Sequence, residues 1–284
     1  MGTDFEAEYN NRARVPEHVR VFARWQSEAA SYRTAAAAAG RAELGIVYGS
    51  TARQTLDLFC PEGGPHAPFA IFVHGGYWRS LEPSMFSHVA AGLNARGVAV
   101  AVAGYDLCPQ VTIAVVIEQM RSACLYLWRR FGRRMVVYGH SAGGHLAAAM
   151  LATDWHHRDL RAPADLVTAA YAISGVYDLV PLVGLSMNQD LRLDADEARR
   201  VSPVFWPAPT GRVLDAVVGP LESNEFLRQS RMIADEWGKA GVLTRYEEIV
   251  GTNHYTILDS LVDAESPMVE RLVAMTQFAE TAPA

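Results

Sequence analysis

A chain of 284 residues, half of them hydrophobic, can bury one large α/β core or two small ones. Its formal net charge of −6 gives no basic surface for nucleic acid, and no apolar run reaches the length of a membrane span. Cys60, Cys108 and Cys124 lack metal-ligand spacing and read as reduced thiols of a cytoplasmic protein, and the polar, acid-containing N-terminus is unlike a secretory signal. No metal or other cofactor is called for. The oligomeric state is left open, a homodimer being one arrangement.

Residues 1–16 read as an irregular arm ending at Pro16. Glu17 to Ala39 has helix-forming composition, with Val21, Phe22, Trp25 and Ala29 at helical spacing and a glycine stop at Gly40. Two strands are expected over 46–49 and 54–59, then a loop from Pro61 to Pro68. The apolar run Phe69–Val73 suits a strand buried on both faces. Residues 83–96 suit a helix, 98–102 another buried strand, and Val111 to Phe131 a long helix. After a strand from Met135 and the helix that follows it, strands are expected over 166–174, 212–218 and 245–249, with a closing helix over 267–279.

Strands alternating with helices predict a single α/β domain with a mostly parallel sheet covered on both faces, the early strand pair forming an antiparallel edge. Residues 176–210 break the rhythm and are expected to form a partly helical, cap-like insertion over the C-terminal edge of the sheet, where ligands bind in open α/β sheets. The charged run from Asp190 to Arg200 within it reads as a solvated helix face.

The stretch Arg134–Ala152 holds the strongest chemical signal. An apolar, β-leaning run stops at Gly139, an Ala-rich helix opens after Gly144, and between them lies Gly139-His140-Ser141-Ala142-Gly143. A G-x-S-x-G between strand and helix is a nucleophile elbow, which exposes the serine hydroxyl on a strained turn. A serine hydroxyl needs a base, and the base an orienting acid. In the α/β-hydrolase order both follow the serine, acid first. Of the histidines after Ser141, His145 lies in the elbow helix, His156 and His157 in a polar loop, and His254 just past the final strand, where the fold delivers its base. The acid should follow the strand ending near Val218. Glu222, Glu225 and Asp178 are the candidates, and Glu222 sits at the turn. The turn His74-Gly75-Gly76-Tyr77-Trp78 after the first buried strand offers an oxyanion hole from the Gly76 and Tyr77 N–H groups, with Gly75 shaping the loop and Ala142 N–H as a third donor; His74 is expected to brace it.

These motifs resemble the kynurenine formamidases (arylformamidases) of the α/β-hydrolase fold. The resemblance also runs through Tyr9-Asn10-Asn11-Arg12, Ser174-Gly175-Val176-Tyr177-Asp178-Leu179, the segment around Glu222 and Asn253-His254-Tyr255, and so covers nearly the whole chain. The elbow and the His-Gly-Gly turn are shared with the wider hormone-sensitive-lipase-like esterases. The resemblance implies metal-free hydrolysis of N-formyl-L-kynurenine to kynurenine and formate through a Ser-Asp-His triad, with Glu222 one methylene longer than the family's aspartate. An aromatic amine leaving group would need a flat apolar pocket, for which Trp78, Tyr177, Phe205 and Trp206 are candidates, Trp78 alternatively packing beneath its loop. A carboxylesterase for short acyl or aryl esters would use the same triad.

Overall fold

The computed structural model describes residues 2–64 and 67–281, so part of the expected loop over 61–68 lies outside the described residues. Two short helices, α1 (Phe5–Tyr9) and α2 (Asn11–Arg14), replace the expected irregular arm. Each has a side-chain cap: Asp4 Oδ1 accepts from Ala7 N–H and Asn10 Oδ1 from Ala13 N–H. The long α3 (His18–Ala38) buries Val21, Trp25, Ala29 and Ala36. Strands β1 (Ala42–Val47) and β2 (Thr55–Phe59) form the expected antiparallel pair, with a register shift near Gly45, whose backbone is left-handed.

Strand β3 (Phe69–Val73) is followed by a 3₁₀ segment (Pro83–Ala90) and α4 (Ala91–Ala95), in place of the expected continuous α-helix. Then come β4 (Ala99–Ala103), α5 (Ile113–Phe131), β5 (Met135–His140), α6 (Ala142–Leu151), α7 (Trp155–Arg158) and β6 (Val167–Ile173). The insertion before β7 (Val213–Val218) is a string of short turns, including α8 (Asn188–Leu191) and α9 (Ala195–Arg200) between 3₁₀ segments. The chain closes with α10 (Asn224–Lys239), β8 (Leu243–Glu248) and α11 (Pro267–Thr281).

The eight strands make one sheet in the order β1-β2-β4-β3-β5-β6-β7-β8. Pairings of β2 with β1 and β4 are antiparallel and the rest parallel. Alternation along the strands builds a core on each face. Ile71, Val73, Ala101 and Val137 face residues of α5, α6 and α10, while Ala70, Phe72, Val100 and Tyr138 face Trp25 of α3, Phe86 and Leu272 of α11. Both faces being covered explains why the central strands read as unbroken apolar runs. The topology is that of an α/β-hydrolase. No helix among the described residues is long and apolar enough to cross a membrane.

Candidate active site

Three loops that leave the C-terminal ends of β5, β7 and β8 converge with the loop after β3. The elbow is built by close approach. A Cβ on Gly143 would overlap the Val73 carbonyl oxygen, and one on Gly139 would overlap that of Gly143. Ser141 between them has φ +58°, a left-handed conformation that costs a non-glycine residue energy, and its N–H is held by the Ile173 carbonyl at 2.8 Å. It stands at the N-cap of α6, so the positive end of that helix faces it.

Glu222 and His254 meet where the β7 and β8 loops pack. The His254 Nδ1 lies 2.6 Å from Glu222 Oε2, while Glu222 Oε1 accepts from Ser174 Oγ at 2.6 Å and Gly219 N–H at 2.8 Å. Three donors on one buried carboxylate fix its rotamer. Gly219 permits the meeting, since a Cβ there would lie 2.5 Å from the Thr252 carbonyl oxygen in the turn that delivers His254. Asn253 Oδ1 accepts from the N–H groups of Tyr255 and Thr256, an Asx turn that sets the start of the following 3₁₀ segment. The His254 carbonyl accepts from His140 Nε2 at 2.7 Å. Burial first, and then the neighbouring His254, hold the His140 imidazole well below its usual range, so it is neutral with the proton on Nε2.

The loop after β3 lies directly against the elbow. A Cβ on Gly75 would sit 2.7 Å from the His140 carbonyl oxygen and 2.9 Å from Ser141 Cβ. Gly76 (φ +109°), Tyr77 (φ +50°) and Trp78 (φ +55°) are all left-handed. His74 is fully buried, its Nδ1 2.8 Å from the Gly75 carbonyl oxygen and its ring stacked on Tyr105 with centroids 4.4 Å apart; burial lowers its pKa to about 4.

Ser141, His254, Gly76 and Tyr77 line one cavity of about 430 Å³. Its aromatic wall differs from the expected one. Tyr9, Trp25, Tyr77 and Tyr255 line it, together with Met187 and Leu81, whereas Trp78, Tyr177, Phe205 and Trp206 do not. Trp78 is fully buried beneath the loop, its ring edge-on to His145. Tyr177 is buried in the core facing α10 and gives its N–H to Gln229 Oε1. At the 3₁₀ turn before β7 Phe205 is exposed and Trp206 is half-buried against the core, under the guanidinium groups of Arg199 and Arg121 respectively.

Polar wall residues come from segments to which sequence patterns gave no chemistry: Asn10, Asn11 and Arg12 from the arm, and Arg79 paired with Asp190 at 2.6 Å. Asp190 is thus part of the cavity, although most of the charged run it opens is solvated as expected. Glu225 turns away from His254 and binds Arg228 and Tyr9, while Asp178 Oδ1 accepts from Val180 N–H. His145 is buried with Nε2 on the Val201 carbonyl at 2.7 Å, and His156 and His157 are exposed on α7. The contribution of Ser174 escapes sequence reasoning because it depends on a contact between residues 48 positions apart.

A strained serine on an elbow, beside a buried carboxylate–imidazole pair, makes this α/β-hydrolase a serine hydrolase. A family model described as BD-FAE matches residues 56–202, more than half of the chain. The chain belongs to that family. It is similar to the kynurenine formamidase of Salmo salar, 30% identical over 245 residues that cover 82% of this chain and 81% of that protein. The kynurenine formamidase of Drosophila melanogaster is 33% identical over 220 residues, 73% of each chain. A crystal structure from Silicibacter sp. TM1040, described as a "putative thioesterase", superposes with a TM-score of 0.83 at 33% identity, over 96% of this chain and 100% of that one.

Proposed function

We propose that this chain is a carboxylesterase acting on esters of short acyl groups, with Ser141 as nucleophile, His254 as base and Glu222 as the acid that orients it. The observation that carries the reading is the 2.6 Å contact between His254 Nδ1 and Glu222 Oε2, made behind the cavity wall in which His254 and the left-handed Ser141 lie. Nδ1–H donates to the carboxylate, which leaves Nε2 free to take the serine proton. Ser141 Oγ then bonds to the acyl carbon, and the carbonyl electron pair moves onto oxygen. The N–H groups of Gly76, Tyr77 and Ala142 are assigned to that oxyanion, with Gly75 leaving room for the loop to lie against the elbow. His254 returns the proton to the departing alkoxide, and a water deprotonated by the same imidazole releases the acid from the serine ester.

A second reading keeps the same machinery and changes the substrate. The similarity to kynurenine formamidases over most of the chain favours an arylformamidase that hydrolyses N-formyl-L-kynurenine to L-kynurenine and formate. Comparing kcat/KM for phenyl acetate, phenyl formate and N-formyl-L-kynurenine separates the two. The esterase reading expects the esters to be turned over at least as well as the formamide, and a preference of about a hundredfold or more for the formamide would reverse the order. Ser141→Ala should remove hydrolysis of every substrate by about 10⁴-fold or more and abolish labelling by a fluorophosphonate. Activity within about tenfold of the parent would sink both readings.

A further inference from the structure

The loop assigned to the oxyanion hole has an unusual support. Gly76, Tyr77 and Trp78 are left-handed in succession, which two bulky aromatic residues adopt only where surrounding contacts hold them there. The Tyr77 hydroxyl leaves the loop and donates to the main-chain carbonyl of Tyr9, in the N-terminal arm, at 2.7 Å. Tyr9 is fully buried and is itself fixed from the far side. Its hydroxyl donates to Glu225 Oε2 at 2.8 Å and accepts from Gln229 Nε2 at 2.9 Å. Burial alone would push the Glu225 carboxyl up, but the hydrogen bonds from Arg228 and Tyr9 outweigh it and hold it below its usual range, as an anion. Gln229 also bridges to the loop after β6, accepting from the N–H groups of Tyr177 and Asp178. The Glu225 N–H reaches back to Glu8 Oε2 at 3.0 Å.

We infer that the N-terminal arm is the rear support of the oxyanion loop and that Tyr9 is a positioning residue of the reaction. The inference rests on the assignment of the Gly76 and Tyr77 N–H groups to the oxyanion. One turn at the start of α10 then serves both halves of the chemistry. Glu222 just before it holds His254, Phe226 within it packs on the His254 ring at 4.6 Å, and Glu225 and Gln229 hold Tyr9, which holds Tyr77. Loss of the Tyr77–Tyr9 bond removes neither ring from the cavity wall. It frees the loop from the geometry in which its N–H groups meet a developing charge.

The test uses the full-length enzyme and a trifluoromethyl ketone. Ser141 Oγ adds to the ketone carbon, its proton passes to His254, and the former carbonyl oxygen becomes an oxyanion, so affinity reports the oxyanion contacts. Tyr77→Phe should lower kcat by about 10- to 100-fold with KM changed less than about threefold, and weaken ketone binding by the same factor as kcat. Tyr9→Phe, which keeps the carbonyl but loses the tie to α10, should shift both in the same direction by less. Tyr48→Phe removes another buried hydroxyl, the one on the Gly104 carbonyl at 2.5 Å, and should leave both unchanged. Wild-type kcat and ketone affinity in Tyr77→Phe would overturn the inference, as would a fall in kcat with ketone affinity intact. Should Tyr77→Phe fail to fold, Tyr9→Phe and Glu225→Gln carry the same comparison, and parental values in both would overturn it. A parent that is inert and does not bind the ketone overturns the assigned chemistry along with the arm. With an active parent that binds the ketone, parental values in the variants overturn the role of the arm alone.

Discussion

At Glu222 two oxygens serve three donors, and that arrangement dictates what a neutral replacement would do. Oε1 takes Ser174 Oγ and Gly219 N–H, and Oε2 takes the imidazole. A glutamine at this position has one acceptor atom and one donor atom. Satisfying Ser174 and Gly219 with the amide oxygen puts its NH₂ group against His254 Nδ1, which must then lose its proton to become an acceptor. The surviving tautomer carries hydrogen on Nε2 and has no lone pair for the serine proton. Glu222→Gln should therefore lower kcat by about 10³–10⁴ with the fold intact by circular dichroism, the size seen for the equivalent change in a serine protease. Asp178→Asn, by contrast, alters only the acceptor of the Val180 N–H and should stay within about threefold of the parent. A crippled Asp178→Asn beside an active Glu222→Gln would reassign the acid. Glu222 is the favoured acid in the sequence because it sits at the turn after a strand and ahead of His254, whereas Glu225 enters the following helix. Ser174 is not legible in the sequence, since no local pattern joins a strand end to a turn far along the chain.

Among the elements, the buried strands and long helices are legible in the sequence, and what aims the short ones is not. The run Phe69–Val73 is the strand β3 to the residue, because a strand covered on both faces needs apolar side chains at every position. The aromatic wall departs from expectation for the opposite reason. Phe205 and Trp206 belong to a three-residue 3₁₀ turn and its cap, too short for any periodicity to say which way the side chains point. The arm behaves likewise: its two helices, of five and four residues, are too short for any periodicity to show, and Tyr9 is held by Glu225 and Gln229 of α10. Packing between turns also explains why Gly219 matters. A side chain there would meet Thr252, first of all its main-chain oxygen, which has no rotamer to change. Gly219→Ala must push the β7 and β8 loops apart, and so part Glu222 from His254. Its kcat should fall by at least about 30-fold, that is about 2 kcal/mol in the barrier. The melting temperature should drop by only a few degrees, since the strands themselves are untouched. An alanine variant with parental kcat would show that the two loops do not set the acid–base distance.

For the molecule as a whole, two cores on one sheet bury more imidazole than the chemistry uses. His74 and His145 are fully buried and His88 nearly so, and burial lowers the pKa of each to about 4, while the same cause holds His140 well below its usual range. In the unfolded chain each returns to an ordinary value of about 6.5. Between those two values the unfolded state binds more protons than the folded one, so stability is fully present above about pH 6.5 and is lost as pH falls toward about 4. A single histidine shifted from about 6.5 to about 4 can withdraw on the order of 3 kcal/mol across that window, and a domain has only about 5–15 kcal/mol to lose. The enzyme should therefore unfold cooperatively in mild acid, with its urea midpoint falling steeply between about pH 6.5 and about pH 5. His145 offers the cleanest check, because its Nε2 hydrogen bond to the Val201 carbonyl can be kept by a glutamine that does not titrate. His145→Gln should be no more than about 1 kcal/mol less stable than the parent at about pH 7.5. It should also show a shallower decline, so that the two curves converge or cross as the pH is lowered. Parallel curves for parent and variant across that range would mean that His145 gains its proton without opening the core, and the acid sensitivity would have to be sought elsewhere.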